Sequence, residues 1–163
     1  MSDDLKFSIR IKDNSQLVLE EAEKATERAL YAIGVKAVEG SVDAISGKYG
    51  IPSAVDTGRL RASISFITPT QKGGGEVGTP NGKPQDKLSG SAEKNTVVVG
   101  SNVEYAEYVH NGTSKMAGRP FLREGIDKTK DKMQEQAEKI FKGSYKSVWQ
   151  WTIIFTSATN LKA

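Results

Sequence analysis

The chain has 163 residues, 37% of them hydrophobic and 26% charged, which is the composition of one ordinary globular domain with a real core. It has no cysteine and a single histidine, His110, which excludes disulfides, thiol chemistry and a multi-histidine zinc site within one chain. The formal net charge of +3 is mixed along the chain and gives no concentrated basic footprint for sequence-specific nucleic-acid binding. The N-terminus lacks a signal-peptide pattern and no apolar run reaches about 20 residues, so we expect a soluble, cytoplasmic protein.

The first quarter of the chain predicts a strand followed by a long helix. Residues 6–12 alternate polar and apolar side chains, which is typical of a strand with one solvated face. From about residue 16 to 46, apolar residues recur every three or four positions, which predicts an amphipathic helix that ends near Gly47. Gly34 and Gly40 inside it indicate a kink, an early end or a close crossing of another backbone. Such a helix either lies across a sheet or overhangs its domain and packs on a neighbouring subunit.

A short turn and a second strand come next. Asp56 or Thr57 is placed to cap a single helical turn that contains Arg59 and Arg61, and residues 64–68 then alternate as a strand. A helix N-terminus attracts anions, but Asp56 already offers a carboxylate there. We therefore expect an internal pairing between aspartate and arginine instead of an anion site.

Residues 71–95 are rich in glycine, proline and small polar side chains. The glycines at 73–75 lack the lysine and hydroxyl that a phosphate-binding loop places after them. This composition predicts a long flexible loop between two strands, of the kind that orders on meeting a partner.

The stretch 96–126 has the densest set of local signals. An apolar strand ends at Gly100, Ser101 or Asn102 is placed to cap a short helix, and Gly112 stops that helix. The predicted helix carries Tyr105, Ala106, Tyr108 and Val109.

The last quarter predicts one more helix and then a strand. Pro120 suits the first turn of a helix, and a helical apolar stripe continues from it to a stop at Gly143. Residues 144–163 are apolar, and Trp149, Trp151 and Phe155 fall on one side of an extended chain. We expect a strand here, paired in its own sheet or against a partner, because an exposed apolar edge recruits other chains.

No catalytic constellation can be assembled from the sequence. His110 has no nucleophile in a recognisable frame, and an exposed helix-end histidine without a catalytic duty is the expected role. Tyr105 and Tyr108 share a helix face and are expected to be core and interface aromatics. We therefore expect a protein that is not an enzyme.

Three motifs resemble one family. The segments VDTGRLRASI at 55–64, VVVGSNVEYAEYVHNGT at 97–113 and GRPFL at 118–122 resemble the head-to-tail joining, or tail-completion, proteins of long-tailed bacteriophages. That family includes the tail terminators at the neck of siphophage virions. His110 stands where such proteins commonly carry an acidic residue, and residues 144–163 extend beyond the end of many of them. The motif and possible interface positions are Asp56, Thr57, Gly58, Leu60, Ser63, Gly100, Tyr105, Ala106, Gly112, Thr113, Arg119, Pro120, Phe121 and Leu122.

The resemblance implies an α+β fold in which a small antiparallel sheet is packed by one long N-terminal helix and two shorter helices. It implies a domain over residues 1–143, containing the 71–95 loop, followed by a C-terminal extension over 144–163. It further implies a ring, commonly of six copies, between the connector on the head side and the tail-tube protein. DNA would pass through that ring without sequence-specific binding, and no cofactor, metal or membrane is implied.

The location implied is the neck of the virion, with the host cytoplasm as the place of assembly. Surfaces for partner contact would be the overhanging helix, the 71–95 loop and the tail carrying Trp149, Trp151 and Phe155. One alternative is a minor capsid or head-closure component. Another is a nucleic-acid-binding protein that uses Arg59, Arg61, Arg119 and the lysine-rich final helix.

Overall fold

The computed structural model describes residues 15–54, 56, 58–74 and 83–158, so the strand predicted over residues 6–12 lies outside the described part of the chain. The fold is α+β, as predicted: a long N-terminal helix packs on a long C-terminal helix, beside a small antiparallel sheet of three strands and a second sheet of two. The elements are α1 (Ser15–Ile45), α2 (Arg59–Ser63), β1 (Ser65–Ile67), β2 (Lys72–Gly74), a 3₁₀ turn (Pro84–Asp86), β3 (Val98–Gly100), α3 (Ala106–Asn111), β4 (Gly112–Thr113), β5 (Met116–Ala117) and α4 (Phe121–Ala158).

Helices α1 and α4 cross with their backbones in contact. A Cβ atom added to Gly40 would lie 2.6 Å from Thr129 Cγ2, and one added to Gly125 would lie 2.5 Å from Ser41 Cα. Gly40 therefore marks a close crossing of another backbone, and α1 runs through it without ending. Small residues dominate the buried side of α1 because a larger side chain would push α4 away. The buried residues of α1 are Ala25, Ala29, Gly34, Ala37, Gly40, Ser41, Ala44 and Ile45.

The three-stranded sheet has β1 at its centre, in the order β2-β1-β3 with antiparallel pairing on both sides. Phe66 of β1 pairs with Gly73 of β2 and Val99 of β3. Its ring fills the space between two glycines, since an added Cβ would lie 2.6 Å from Phe66 Cγ at Gly34 and 2.5 Å from Phe66 Cζ at Gly73. Tyr31 packs edge-on against the same ring, with the centroids 5.2 Å apart. The two glycines thus let one aromatic side chain join the sheet to α1.

A single apolar core joins the C-terminal end of α1 to α2, β1 and the start of α4. All strand residues of β1 are buried, which explains why its side chains do not alternate between a wet and a dry face. The core cluster consists of Ala44, Ile45, Leu60, Ile64, Val103 and Phe121.

The predicted strand over residues 144–163 is wrong for residues 144–158, which continue α4. The predicted stop at Gly143 is wrong for the same reason. A glycine costs about 1 kcal/mol in a helix interior, and this cost is too small to end a helix by itself. Short apolar runs satisfy strand and helix periodicity alike, so spacing could not separate the two structures. None of the described helices has the length and apolar character needed to cross a bilayer.

Candidate functional site

The three sequence motifs meet in one corner of the molecule, which we call the motif corner and which comprises residues 58–63, 100–113 and 118–122. The corner is held by apolar packing onto the core at the C-terminal end of α1. Its members in the core cluster are Leu60, Val103 and Phe121, with Ala106 and Leu122 half-buried against them. Several positions predicted as motif or interface residues therefore contribute to packing inside the subunit.

A hydroxyl network joins α2 to the chain that leaves β3. Ser63 Oγ donates to the Leu60 carbonyl at 2.7 Å and shares a hydrogen bond of 2.5 Å with Ser101 Oγ. Ser101 Oγ also accepts from the Val103 amide at 3.1 Å. Because Ser63 already donates to Leu60, Ser101 is the donor in the bond between the two hydroxyls. The network fixes the position of the second motif relative to the first.

The predicted capping of α3 by Ser101 or Asn102 is wrong. Tyr105 directly precedes the helix, and no side chain makes a capping hydrogen bond there. A cap must directly precede the first turn, whereas Ser101 and Asn102 lie five and four residues before Ala106. Ser101 is used in the hydroxyl network instead.

The turn before α2 depends on a glycine and not on the predicted cap. Gly58 directly precedes the helix with φ of 77°, a left-handed conformation that favours glycine, and no side-chain cap is formed. Asp56 is exposed, so the prediction that it caps this turn is wrong, and Thr57 lies outside the described residues. Gly100 ends β3 opposite Ser65.

The expected pairing of an aspartate with an arginine is formed by Arg59, but its partner is Asp86 and not Asp56. Arg59 Nε donates to Asp86 Oδ2 and its Nη2 to Asp86 Oδ1, both at 2.7 Å. Asp86 is only 2% exposed, while Arg59 keeps about a quarter of its side chain in solvent. The bidentate hydrogen bond lowers the pKa of Asp86 and raises that of Arg59. Asp86 comes from the glycine-rich loop, 27 residues along the chain, so no local signal could identify it.

The same ion pair anchors part of the segment 71–95 that was predicted as a loop without structure of its own. β2 and the 3₁₀ turn occupy parts of this segment. The amide of Asn102 donates to the Asp86 carbonyl at 2.8 Å, and the Leu88 amide donates to Ser65 Oγ at 2.9 Å. The loop is therefore fastened both to the motif corner and to β1.

A two-stranded hairpin, β4–β5, completes the corner. Gly112 has φ of 85°, and an added Cβ would lie 2.5 Å from the Gly118 amide nitrogen, so the hairpin closes only with glycine here. Past the hairpin, the Arg119 amide donates to the Val109 carbonyl at 2.8 Å. Arg119 Nη1 donates to the Ser53 carbonyl at 3.0 Å, which ties the third motif to the chain that follows α1. Thr113 is exposed on the hairpin, and Pro120 is half-buried directly before α4.

His110 is half-buried, so the expectation of an exposed helix-end histidine is wrong. Its ring packs edge-on against Phe121 with the centroids 5.2 Å apart, and Nδ1 is buried with no hydrogen-bond partner in the described part of the chain. Burial lowers the pKa of His110, and the charge of Arg123 lowers it further. The described residues contain no group of acidic, histidine or cysteine side chains able to hold a metal ion.

Two tyrosines and a methionine of this corner, Tyr105, Tyr108 and Met116, are exposed to solvent, and we call these three residues the aromatic face. Tyr108 is 60% exposed, the other two are 37% exposed, and α3 has no buried residue. The Gly112 amide donates to the Tyr108 carbonyl, and Gly112 also lies against Met116, so helix and hairpin are joined beneath this face. Grouped exposed large apolar side chains mark interaction surfaces in soluble proteins.

An open cleft of about 360 Å³ lies beside the aromatic face. Its walls combine two arginines with apolar surface and the ring of Tyr105. The lining residues are Ala54, Asp56, Gly58, Arg59, Leu60, Arg61 and Tyr105. The cleft therefore adds concave surface to the face at the point where the first and second motifs meet.

The predicted partner-contact tail lies far from this corner. Trp149, Trp151 and Phe155 belong to the helical backbone of α4. Trp149 follows Phe121 by 28 residues, which corresponds to about 42 Å along a helix axis. The structure thus brings the three motifs together and leaves the tail at the other end of α4.

Comparison with known proteins identifies no relative. No family model, no curated protein and no solved structure matches this chain.

Proposed function

We propose that this protein is a structural, non-enzymatic component of the neck of a long-tailed phage, where it completes the tail and joins it to the head. The observation that carries the proposal is the motif corner. Three segments that resemble the tail-completion proteins converge there, and their buried residues hold an exposed aromatic face on a rigid support. Such an arrangement suits a part that must present one fixed surface to other proteins.

In this role, copies of the chain form a ring around the DNA channel, with six copies as in the family that the motifs resemble. The connector on the head side and the tail-tube protein are the two other partners, and DNA passes without sequence-specific binding. A closed ring of identical copies needs two different, complementary surfaces on each copy. The aromatic face is available for contact with the connector or the tail tube, while the ring contact uses other surfaces.

A nucleic-acid-binding role is a second candidate, favoured by the exposed lysines of α4. The arginines that such a role would use are engaged inside the fold. Arg59 is paired with Asp86, and Arg119 bonds the Ser53 carbonyl. We therefore rank this role below the neck protein. A minor capsid or head-closure component differs from the neck protein only in its partner, and a pull-down with connector and with tail tube separates the two.

The test is genetic. The gene is inactivated in a phage that carries it, and lysates are examined by electron microscopy after complementation with wild-type or variant protein. We expect separate filled heads and unjoined or irregular tails without the protein, and joined virions with it. Tyr108→Asp should fold yet fail to restore joining, whereas Glu107→Gln, a change of an exposed neighbour on α3, should restore it. Normal virions in the absence of the protein would refute the proposal.

A further inference from the structure

The first ten residues of α1 lie outside the packed part of the fold. None of residues 15–24 is buried, and the first buried residue of the helix is Ala25. Leu17 and Leu19 are 58% and 66% exposed. Two residues correspond to a rotation of about 200°, so the two side chains lie on nearly opposite sides of the helix and solvent reaches both sides. Exposed large apolar side chains that lie together mark interaction surfaces in soluble proteins, so this end of α1 is a candidate contact for another molecule.

The outward side of this part of α1, which we call the acidic face, consists of Leu17, Glu20, Glu27 and Tyr31. These positions fall within about a quarter turn of one another on a helix. All four side chains are exposed. Glu20 and Glu27 have no ion-pair partner among the described residues, and Glu23 on the flank reaches only Lys94, at 3.7 Å.

A row of exposed lysines runs along α4. Lys128, Lys132, Lys139 and Lys142 are spaced by four, seven and three residues, which places them on one side of the helix over about 21 Å. Lys139 and Lys142 pair with glutamates of their own helix. Lys128 and Lys132 have no ionic partner in the described part of the chain. We call this set the lysine row.

Within one molecule the acidic face and the lysine row cannot meet. The two helices are antiparallel, since Gly40 lies against Gly125 while Ala44, farther along α1, shares a core cluster with Phe121, which begins α4. Ala25 and Ala29 are buried on the other side of α1, so Leu17, Glu20 and Glu27 point away from that side. Tyr31 contacts Phe66 with its ring and is still 40% exposed. No ion pair joins the two surfaces within the described residues, so lysines that neutralise the acidic face must come from another molecule.

We propose that the acidic face of α1 docks on the lysine row of α4 in a second copy of this chain. The two helices lie along one another, and the attraction between the glutamates and the lysines fixes how the helices are aligned. Leu17 and Tyr31, at the two ends of the acidic face, supply apolar area that the contact buries. The contact joins two different surfaces, so it repeats from copy to copy, and it closes a ring when the rotation between neighbouring copies is a whole fraction of a turn. The inference rests on the proposed function in that it identifies the ring contact of the neck protein.

The test uses the full-length chain and its state of association, measured by analytical ultracentrifugation at about 100 µM and below. We expect the wild type to associate in low salt, and more weakly as salt is raised. Glu20→Lys/Glu27→Lys and Lys128→Glu/Lys132→Glu should each weaken association about tenfold or more, because like charges then face each other. An equimolar mixture of the two variants, or one chain carrying all four changes, should recover association because the charges are complementary again.

The matched control is Lys115→Glu/Lys130→Glu, which changes the net charge equally but lies off the row and should associate like the wild type. A wild type that stays monomeric, or lysine-row variants that associate normally, would overturn the inference. If those variants lose only the binding of mixed-sequence duplex DNA, the row faces DNA and the inference is also overturned. The complementation experiment tests the neck function, and ultracentrifugation tests the contact between copies, so either proposal can fail without the other.

Discussion

The two ends of the α1–α4 pair have opposite character. At one end Gly40 and Gly125 bring the backbones into contact, and the core of the motif corner lies next to this crossing. At the other end α1 exposes Leu17 and Leu19. The same helix is therefore an internal support from Ala25 onward and an uncovered arm over residues 15–24. Local helical periodicity therefore does not reveal what a helix packs against. The end with the glycine crossing, which we call the closed end, stabilises the subunit, and the end with Leu17 and Leu19, which we call the open end, is exposed to solvent.

The largest loss of stability is expected from removing the buried ring of Phe66 between α1 and the sheet. Phe66→Ala removes the ring that fills the space between Gly34 and Gly73 and leaves a cavity that two glycines cannot close. We expect a loss of about 3–5 kcal/mol in the free energy of unfolding, measured by urea denaturation. Val98→Ala, at an exposed position of an edge strand, should change this free energy by less than about 0.5 kcal/mol. Similar losses for the two variants would contradict the assigned core.

Two glycine substitutions, one at the crossing of α1 and α4 and one where α4 has no neighbour, test where the two helices are in contact. Gly40→Ala places a methyl group against the backbone of α4, and we expect a loss of about 1–3 kcal/mol because neither backbone can move without separating the helices. Gly143→Ala adds the same methyl group where nothing lies within 4 Å, so it should raise stability by up to about 1 kcal/mol. Thermal unfolding of both variants checks the signs, and two changes of equal sign would refute the crossing.

These glycines also show which parts of the helices could be predicted from the sequence and which could not. The spacing of apolar residues predicted α1 almost to its ends, and Gly40 was identified as a possible close crossing. Gly143 was interpreted as a stop because a sequence does not show whether a glycine faces a backbone or open space. The apolar tail after it was assigned to a strand for a related reason, since its spacing is compatible with a helix too.

Contacts between distant parts of the chain were the least predictable. Asp86 was passed over because its partner lies 27 residues away, while Asp56 was favoured because it lies at the same turn as Arg59 and Arg61. The caps predicted from Ser101 and Asn102 failed similarly, since Ser101 bonds the hydroxyl of Ser63 on another element. Nearness in the sequence therefore suggested the wrong partners, because the pairings that form join distant parts of the chain and depend on the tertiary fold.

The ion pair of the corner predicts a specific dependence of stability on pH. Because Arg59 lowers the pKa of Asp86 in the folded state, the pair stabilises the fold above the ordinary aspartate pKa of about 4. That contribution is lost as the pH falls from about 4 through the lowered pKa of the folded state. Asp86→Asn should therefore be less stable than the wild type at pH 7, and the difference should shrink as the pH falls below about 4. The exposed Asp127→Asn is the control, and urea midpoints measured across this range would contradict the pairing if both variants behaved alike.

The smallest effect on the free energy of unfolding is expected at the open end, because the side chains there are exposed. Leu19→Ser removes a large apolar side chain that is exposed, so the free energy of unfolding of the monomer should change by less than about 0.5 kcal/mol. Ala29→Leu, ten residues along the same helix at a position that is 3% exposed, should cost about 1–3 kcal/mol because it forces extra volume into the packed side of α1. Both measurements belong at low protein concentration, where association does not add to stability. A large loss for Leu19→Ser under those conditions would mean that the start of α1 is covered within its own subunit, and the arm would then not be available to a second copy.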